Sequence, residues 1–418
     1  MMLQAIITSA VLVMGALAKP AAFRDSSLPH PLKRTFDRRN DFSSGGTFSV
    51  DLVRNNAYKN SGPIEYAKAY AKYGKSFAEQ MQSKFQLPAG SVAAINQSYD
   101  REYLSPVYLG TPGQLCWLDL DTGSADLWLF SSDTPSFYLD GQQIYHPEKS
   151  HTAIPVENVT WAITYGDGSY AGGAVYRDTV SLGNITLLNA TVESATAVSR
   201  SLTTDAVMSG ILGLSLNHSS TTYPHQPTLL QALAPPVLDR YVFAADLRYK
   251  APGSYHFGYI NESAYTGTIA WNDVLQRSTF WEFYVQSVHF GGDKVWRLHN
   301  WPMVADTGTS LLLLPSDVTA LYWSLVPGAY QSDSFFGWVF PCNATLPSFD
   351  FGFSSGWNAS IPGHYFNFEN VSTTECYGGI QDSMETFGIL GDAFLKALYV
   401  VFDVSGSRVG LATKTLLA

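Results

Sequence analysis

Asp121-Thr122-Gly123-Ser124 and Asp306-Thr307-Gly308-Thr309-Ser310 place the same Asp-Thr-Gly tripeptide twice in a chain of 418 residues. Two carboxylates held a few ångströms apart cannot both ionise cheaply, so one pKa falls, the other rises, and the pair shares a proton. One member can then hold a water as general base while the other donates a proton to a carbonyl or leaving group. Each Thr hydroxyl can bond a facing loop, and each Gly suits a close backbone approach or a positive φ. The flanks repeat as well. Cys116-Trp117-Leu118-Asp119-Leu120 and Trp301-Pro302-Met303-Val304-Ala305 read as short buried strands upstream. Ala125-Asp126-Leu127-Trp128-Leu129-Phe130 and Leu311-Leu312-Leu313-Leu314-Pro315 return to apolar residues downstream. Two ordinary Asp-Gly turns at strand ends would not repeat their flanks on both sides.

Further segments occur in a fixed order around the two triplets: Trp161-Ala162-Ile163-Thr164-Tyr165-Gly166-Asp167-Gly168-Ser169, Ile211-Leu212-Gly213 and Ile389-Leu390-Gly391. On these motifs the chain resembles the pepsin-like aspartic endopeptidases over nearly its whole length. The cysteine-free stretch from Phe130 to Pro147 is similar to the secreted fungal penicillopepsin/aspergillopepsin-like group.

The resemblance implies that Asp121 and Asp306 activate the attacking water and that Thr122 and Thr307 interlock the two loops. Ser124 and Thr309 would bond the outer carboxylate oxygens, with Gly123 and Gly308 completing the turns. Tyr165 would be the flap tyrosine, bonded to the indole of Trp128, with Gly166 and Asp167 touching substrate; on its own, Tyr-Gly-Asp-Gly is also an ordinary hairpin turn. Asp119 lies two residues before Asp121 and so shares its face of a strand. Acidic residues at the positions of Asp119 and Asp167 are associated in the group with accepting Lys, besides bulky hydrophobic residues, before the scissile bond. A solvated group at the cleft edge is the plainer reading of both.

The elements that must position these residues read as mostly β. A chain with 46% hydrophobic and 14% aromatic residues can bury two substantial cores, and its Thr/Tyr/Val-rich texture favours strands. The expected architecture is the bilobal pepsin-like fold, two β-rich lobes at 93–265 and 266–418 with the active-site cleft between them. Residues 1–18 are apolar and end in Ala16-Leu17-Ala18, as a secretory signal peptide does. Residues 19–92 read as a propeptide, with Ile64 to Tyr73 as its strongest helical segment. Residues 1–89 hold 12 basic and 6 acidic residues, against 13 and 29 in the remainder. A cationic segment across an anionic cleft is an inhibitory clamp that acid would release. By resemblance Lys72-Tyr73 is the inhibitory pair, its lysine on the catalytic aspartates; Lys75 is an alternative, and a solvated helix face is the plainer reading.

The acidic body fits work at low pH and argues against nucleic acid, which wants a positive stripe. Of three cysteines, Cys342 and Cys376 are plausible partners in an exported chain, and the resemblance places the C-terminal disulfide there. Cys116 is then a buried free thiol. No cofactor or metal is expected, since no cluster has zinc-ligand spacing and the nine histidines are scattered. Asn96, Asn158, Asn184, Asn189, Asn217, Asn261, Asn343, Asn358 and Asn370 head sequons and are glycosylation candidates.

The product is expected to be a secreted, extracellular monomer, off the membrane, made as an autoinhibited zymogen. Its partners would be polypeptide substrates, its own propeptide as intramolecular inhibitor, and pepstatin-like inhibitors. Two rival readings fit the chain less well. A catalytically silent pepsin-like binding protein would have lost an aspartate or the flap tyrosine. A paired-carboxylate glycosidase would leave Thr-Gly at both sites unexplained.

Overall fold

Strands dominate because β-branched and aromatic residues alternate along the chain, filling one face of each pleated segment. In Gln114–Asp121 the inward residues Cys116, Leu118 and Leu120 are buried while Trp117 and Asp119 are only half-buried. The computed structural model describes residues 46–54, 62–73, 103–164, 170–203, 205–216, 220–276, 278–291, 297–383 and 387–417. Among the described residues the strands form four sheets.

An eight-stranded sheet runs from Val53–Arg54 through Tyr103–Leu109, Gln114–Asp121, Gly210–Gly213, Leu127–Phe130, Ile185–Val198 and Tyr170–Leu182 to Ile154–Thr164. A seven-stranded sheet is ordered Asn358–Ile361, Phe349–Gly352, Glu282–Phe290, Arg297–Ala305, Gly388–Leu390, Leu312–Leu314, Ile380–Asp382. A four-stranded sheet of Tyr330–Ser332, Gly337–Pro341, Glu375–Gly378 and Asn367–Asn370 lies in the same part of the sequence.

The two large sheets repeat one topology. Gln114–Asp121 and Leu127–Phe130 flank the first Asp-Thr-Gly turn without pairing to each other, because Gly210–Gly213 lies between them, parallel to one and antiparallel to the other. Gly388–Leu390 does the same between Arg297–Ala305 and Leu312–Leu314. The Ile-Leu-Gly segments are therefore the inserted strands. A Cβ on Gly213 would collide with the backbone at Ala125, so the insertion needs glycine there.

The fourth sheet is six-stranded, in the order Phe48–Asp51, Ala251–Phe257, Val242–Arg248, Leu398–Asp403, Arg408–Thr413, Thr266–Asp273, and draws on distant parts of the chain. Phe243 stacks on Phe402 with centroids 4.7 Å apart, and Phe48 on Phe257 at 4.7 Å. Trp281 packs edge-on to Phe243 and donates its indole N–H to the Leu214 carbonyl at 3.0 Å. Leu214 in turn donates its amide to the Asp121 carbonyl at 2.7 Å, which ties the aromatic core to the first Asp-Thr-Gly loop.

Cys342 and Cys376 form a disulfide across 34 residues, and Cys116 is a buried free thiol whose pKa burial pushes up to about 12. Closing that loop restricts the unfolded chain, so a Cys342→Ala/Cys376→Ala double variant should lose about 2–4 kcal/mol of stability. A urea or guanidinium titration of the two proteins checks this; an unchanged midpoint would refute it.

Candidate active site

Each aspartate closes a strand. Asp121 is the last residue of Gln114–Asp121, and Asp306 follows Arg297–Ala305 directly, so both side chains emerge where the backbone turns. Both are buried, at 2% and 0% exposure. The turns interlock through their threonines. The Thr122 hydroxyl donates to the Ala305 carbonyl at 2.9 Å and accepts from the Thr307 amide at 3.0 Å. The Thr307 hydroxyl donates to the Leu120 carbonyl at 2.6 Å and accepts from the Thr122 amide at 3.1 Å. Four buried hydrogen bonds thus fix one loop against the other, and leaving any of these groups unpaired would cost about 1–3 kcal/mol.

The carboxylates are held in matching ways. Gly123 N–H donates to Asp121 Oδ1 at 2.8 Å and the Ser124 hydroxyl to Oδ2 at 2.5 Å. Gly308 N–H donates to Asp306 Oδ1 at 3.0 Å and the Thr309 hydroxyl to Oδ2. A Cβ on Gly308 would run into the Asp121 carboxylate, so the two loops approach as closely as a bare backbone allows. Tyr255, from the six-stranded sheet, lies beneath them and donates to the Leu120 carbonyl at 3.0 Å. Sequence reading missed this residue, because nothing local marks a tyrosine that arrives from a distant strand.

Helix α1, Gly62–Tyr73, brings Lys72 onto the pair. Lys72 Nζ lies 2.5 Å from Asp121 Oδ1 and 2.8 Å from Asp306 Oδ1, with its side chain 8% exposed. Burial alone would lower the lysine pKa, but the charges of Asp121 and Asp306 outweigh it and raise it. Burial pushes Asp121 upward, yet the nearby Lys72 charge and the hydrogen bonds from Lys72 and Ser124 hold its pKa below the usual carboxylate range. Asp306 stays raised, by burial first, with Lys72 opposing and the Asp121 charge reinforcing it. The closer carboxylate takes the greater share of the ammonium, and repulsion between the two loads the proton onto the other. Tyr73 ends the helix, while Lys75 lies outside the described residues.

Of the remaining candidates, Trp128 is 1% exposed and stacks on Trp161 at 5.9 Å. Tyr165, Gly166 and Asp167 lie outside the described residues; the strands before and after them pair as far as Thr164 opposite Tyr170. Asp119 is half-buried in the strand that leads to Asp121. Asn158, Asn184, Asn189, Asn343 and Asn358 are exposed, Asn261 and Asn370 are partly buried, and Asn96 and Asn217 lie outside the described residues.

A second acidic pair also went unnoticed in the sequence. Asp126, 1% exposed, accepts the Thr221 amide at 2.9 and 3.1 Å and meets Glu193, 2% exposed. Burial raises both, and the Asp126 charge raises Glu193 further. The available signal was an aspartate inside the otherwise apolar run from Ala125 to Phe130. Among the described residues no group of three His, Cys, Asp or Glu is placed to hold a metal ion, and no helix is long and apolar enough to cross a membrane.

This duplicated, interlocked carboxylate geometry agrees with the sequence comparisons. The family model for eukaryotic aspartyl proteases matches residues 102–414. The chain belongs to the eukaryotic aspartyl protease family. It is 43% identical over 382 residues to endothiapepsin of Cryphonectria parasitica, covering 88% of this chain and 91% of that protein. It is 38% identical over 403 residues to podosporapepsin of Podospora anserina, covering 91% and 93%, and 38% identical over 370 residues to penicillopepsin-3 of Penicillium janthinellum, covering 88% and 92%. The protein is an aspartic endopeptidase of the pepsin-like, bilobal type.

The ammonium lowers both carboxyl pKa values relative to a pair without it, so docking α1 expels protons. Its contribution is full above the undocked carboxyl pKa values and is lost as pH falls through the docked ones. In Lys72→Gln that contribution is absent, and release of the front segment should begin at higher pH than in the wild type. Time courses of processing across a pH series, read by mass spectrometry, test this; identical pH profiles for the two proteins would refute it.

Proposed function

We propose that the chain is made as an autoinhibited zymogen of a secreted acid endopeptidase that hydrolyses internal peptide bonds. Residues 1–18 are the signal peptide and 19–92 the propeptide, ahead of lobes at 93–265 and 266–418. The observation that carries this reading is the Lys72 ammonium lying between Asp121 and Asp306, where it occupies the place a shared proton and a water would need.

After α1 has left, one aspartate of the pair is ionised and the other protonated. The ionised member takes a proton from water as the oxygen attacks the peptide carbonyl, while the protonated member donates to the carbonyl oxygen. Breakdown of the tetrahedral species then moves a proton to the leaving amine, with no covalent enzyme intermediate. Ser124, Thr309 and the two glycine amides keep the carboxylates oriented. By the family resemblance Tyr165 is the candidate for closing over the peptide and excluding water. The family resemblance also supports a preference for bulky hydrophobic residues at the scissile bond, with Asp119 and Asp167 as candidates for accepting Lys.

The dyad works only when it holds one proton, so activity should vanish as pH rises through the upper apparent pKa of the pair and fall again below the lower one. Cleavage of denatured haemoglobin across an acid-to-neutral series, with and without pepstatin, gives the profile. Asp121→Asn and Asp306→Asn should each reduce kcat by a factor of about a thousand or more, which corresponds to about 4 kcal/mol of barrier. Acid activity that survives pepstatin and both substitutions would refute the mechanism. A correctly processed but inert wild-type protein would favour a silent binding protein instead.

A further inference from the structure

Helix α1 covers more of the molecule than the two aspartates. Tyr66 is 3% exposed and, with Ala69, packs into an apolar pocket formed by Leu311, Leu313, Val339, Phe368, Tyr377 and Ile389. The Tyr66 hydroxyl donates to the Asp382 carbonyl at 2.9 Å. At the start of the same helix, the Gly62 amide donates to the carboxylate of Glu369, a residue only 5% exposed. The Tyr377 ring lies so close to Gly62 that a side chain there would collide with it. One end of an apolar pocket is thus marked by an acid that accepts a hydrogen bond from the inhibitory segment.

When α1 leaves, the pocket and Glu369 lose this cover together. A carboxylate that has lost a donor at an apolar surface gains most from a new donor that is also charged. We propose that Glu369 is a specificity-determining residue: the pocket vacated by Tyr66 takes an apolar or aromatic substrate side chain, and Glu369 selects a Lys or Arg two residues further from the scissile bond. This deepens the endopeptidase reading and rests on it.

The spacing follows from the two backbones. Gly62 and Tyr66 are four residues apart, about 6 Å along a helix, and same-face side chains two apart in an extended peptide lie about 6.7 Å apart. Tyr66 precedes Lys72 by six residues, about 9 Å of helix or about three residues of extended substrate. The apolar position therefore falls about three residues from the cleaved bond and the cationic one about five.

The test uses enzyme freed of its front segment by acid and a parent peptide with a bulky apolar pair at the cleaved bond. Lys, Gln or Glu is placed at each remote position in turn. The wild type should show one position, about five residues from the bond, where Lys exceeds Gln in kcat/KM by up to about fivefold and Glu falls below Gln, the scale of a partly exposed ion pair. In Glu369→Gln the Lys-to-Gln ratio should fall to parity, and in Glu369→Lys the order should invert in favour of Glu. Each ratio is internal to one preparation, so partial misfolding of a variant cancels. Parity at every position in the wild type, or a Lys preference that persists in both variants, overturns the assignment of Glu369. Failure to cleave even the Gln parent peptide would instead sink the endopeptidase reading on which the assignment rests.

Discussion

Burying two carboxylates side by side is the constraint on which the rest of this structure depends. Asp121 and Asp306 are almost wholly removed from water, and such a pair is tolerable only if it shares a proton or meets a cation. Everything nearby limits how the two groups can move apart to relieve the repulsion. The threonine interlock binds the loops through four hydrogen bonds, and the inserted Ile-Leu-Gly strands hold each loop open from behind. Because the loops cannot separate, the electrostatic cost must be met by protonation or by Lys72. The same constraint thus accounts for a proton shared by the pair and for a cation held across it.

The same reasoning explains why a lysine on a helix can hold the pair. A point charge on a flexible stem can bridge two carboxylate oxygens at 2.5 and 2.8 Å. The helix adds apolar contacts through Tyr66 and Ala69, so docking does not rest on charge alone. Weakening the electrostatic part with acid leaves an apolar helix face holding a site whose carboxyls have regained their protons. Residues 1–89 hold more basic than acidic residues and the remainder the reverse, and attraction between opposite charges weakens as carboxylates take up protons.

Duplication gives the active site its symmetry, but the two halves are not electrostatically equal. Lys72 lies nearer Asp121, which is held low, while Asp306 remains high. The Asp126–Glu193 pair has a different place in the fold: Asp126 anchors the backbone at Thr221, and burial together with the Asp126 charge holds the Glu193 carboxyl high.

By itself the sequence determined the chemistry and its repetition. Asp-Thr-Gly occurs twice with matching apolar flanks, and period-two alternation in segments such as Gln114–Asp121 made the strands legible, because local pattern fixes which face a strand buries. Resemblance then named roles for Thr122, Thr307, Ser124, Thr309 and Lys72. Only the tertiary structure decided what depends on residues far apart meeting: Lys72 lying on both aspartates, Tyr255 reaching Leu120 from a sheet that joins Phe48–Asp51 to Thr266–Asp273, and Glu369 receiving the Gly62 amide across 307 residues. Contacts of that kind leave no periodicity behind, since a strand pattern records only that a face is buried and not which partner covers it.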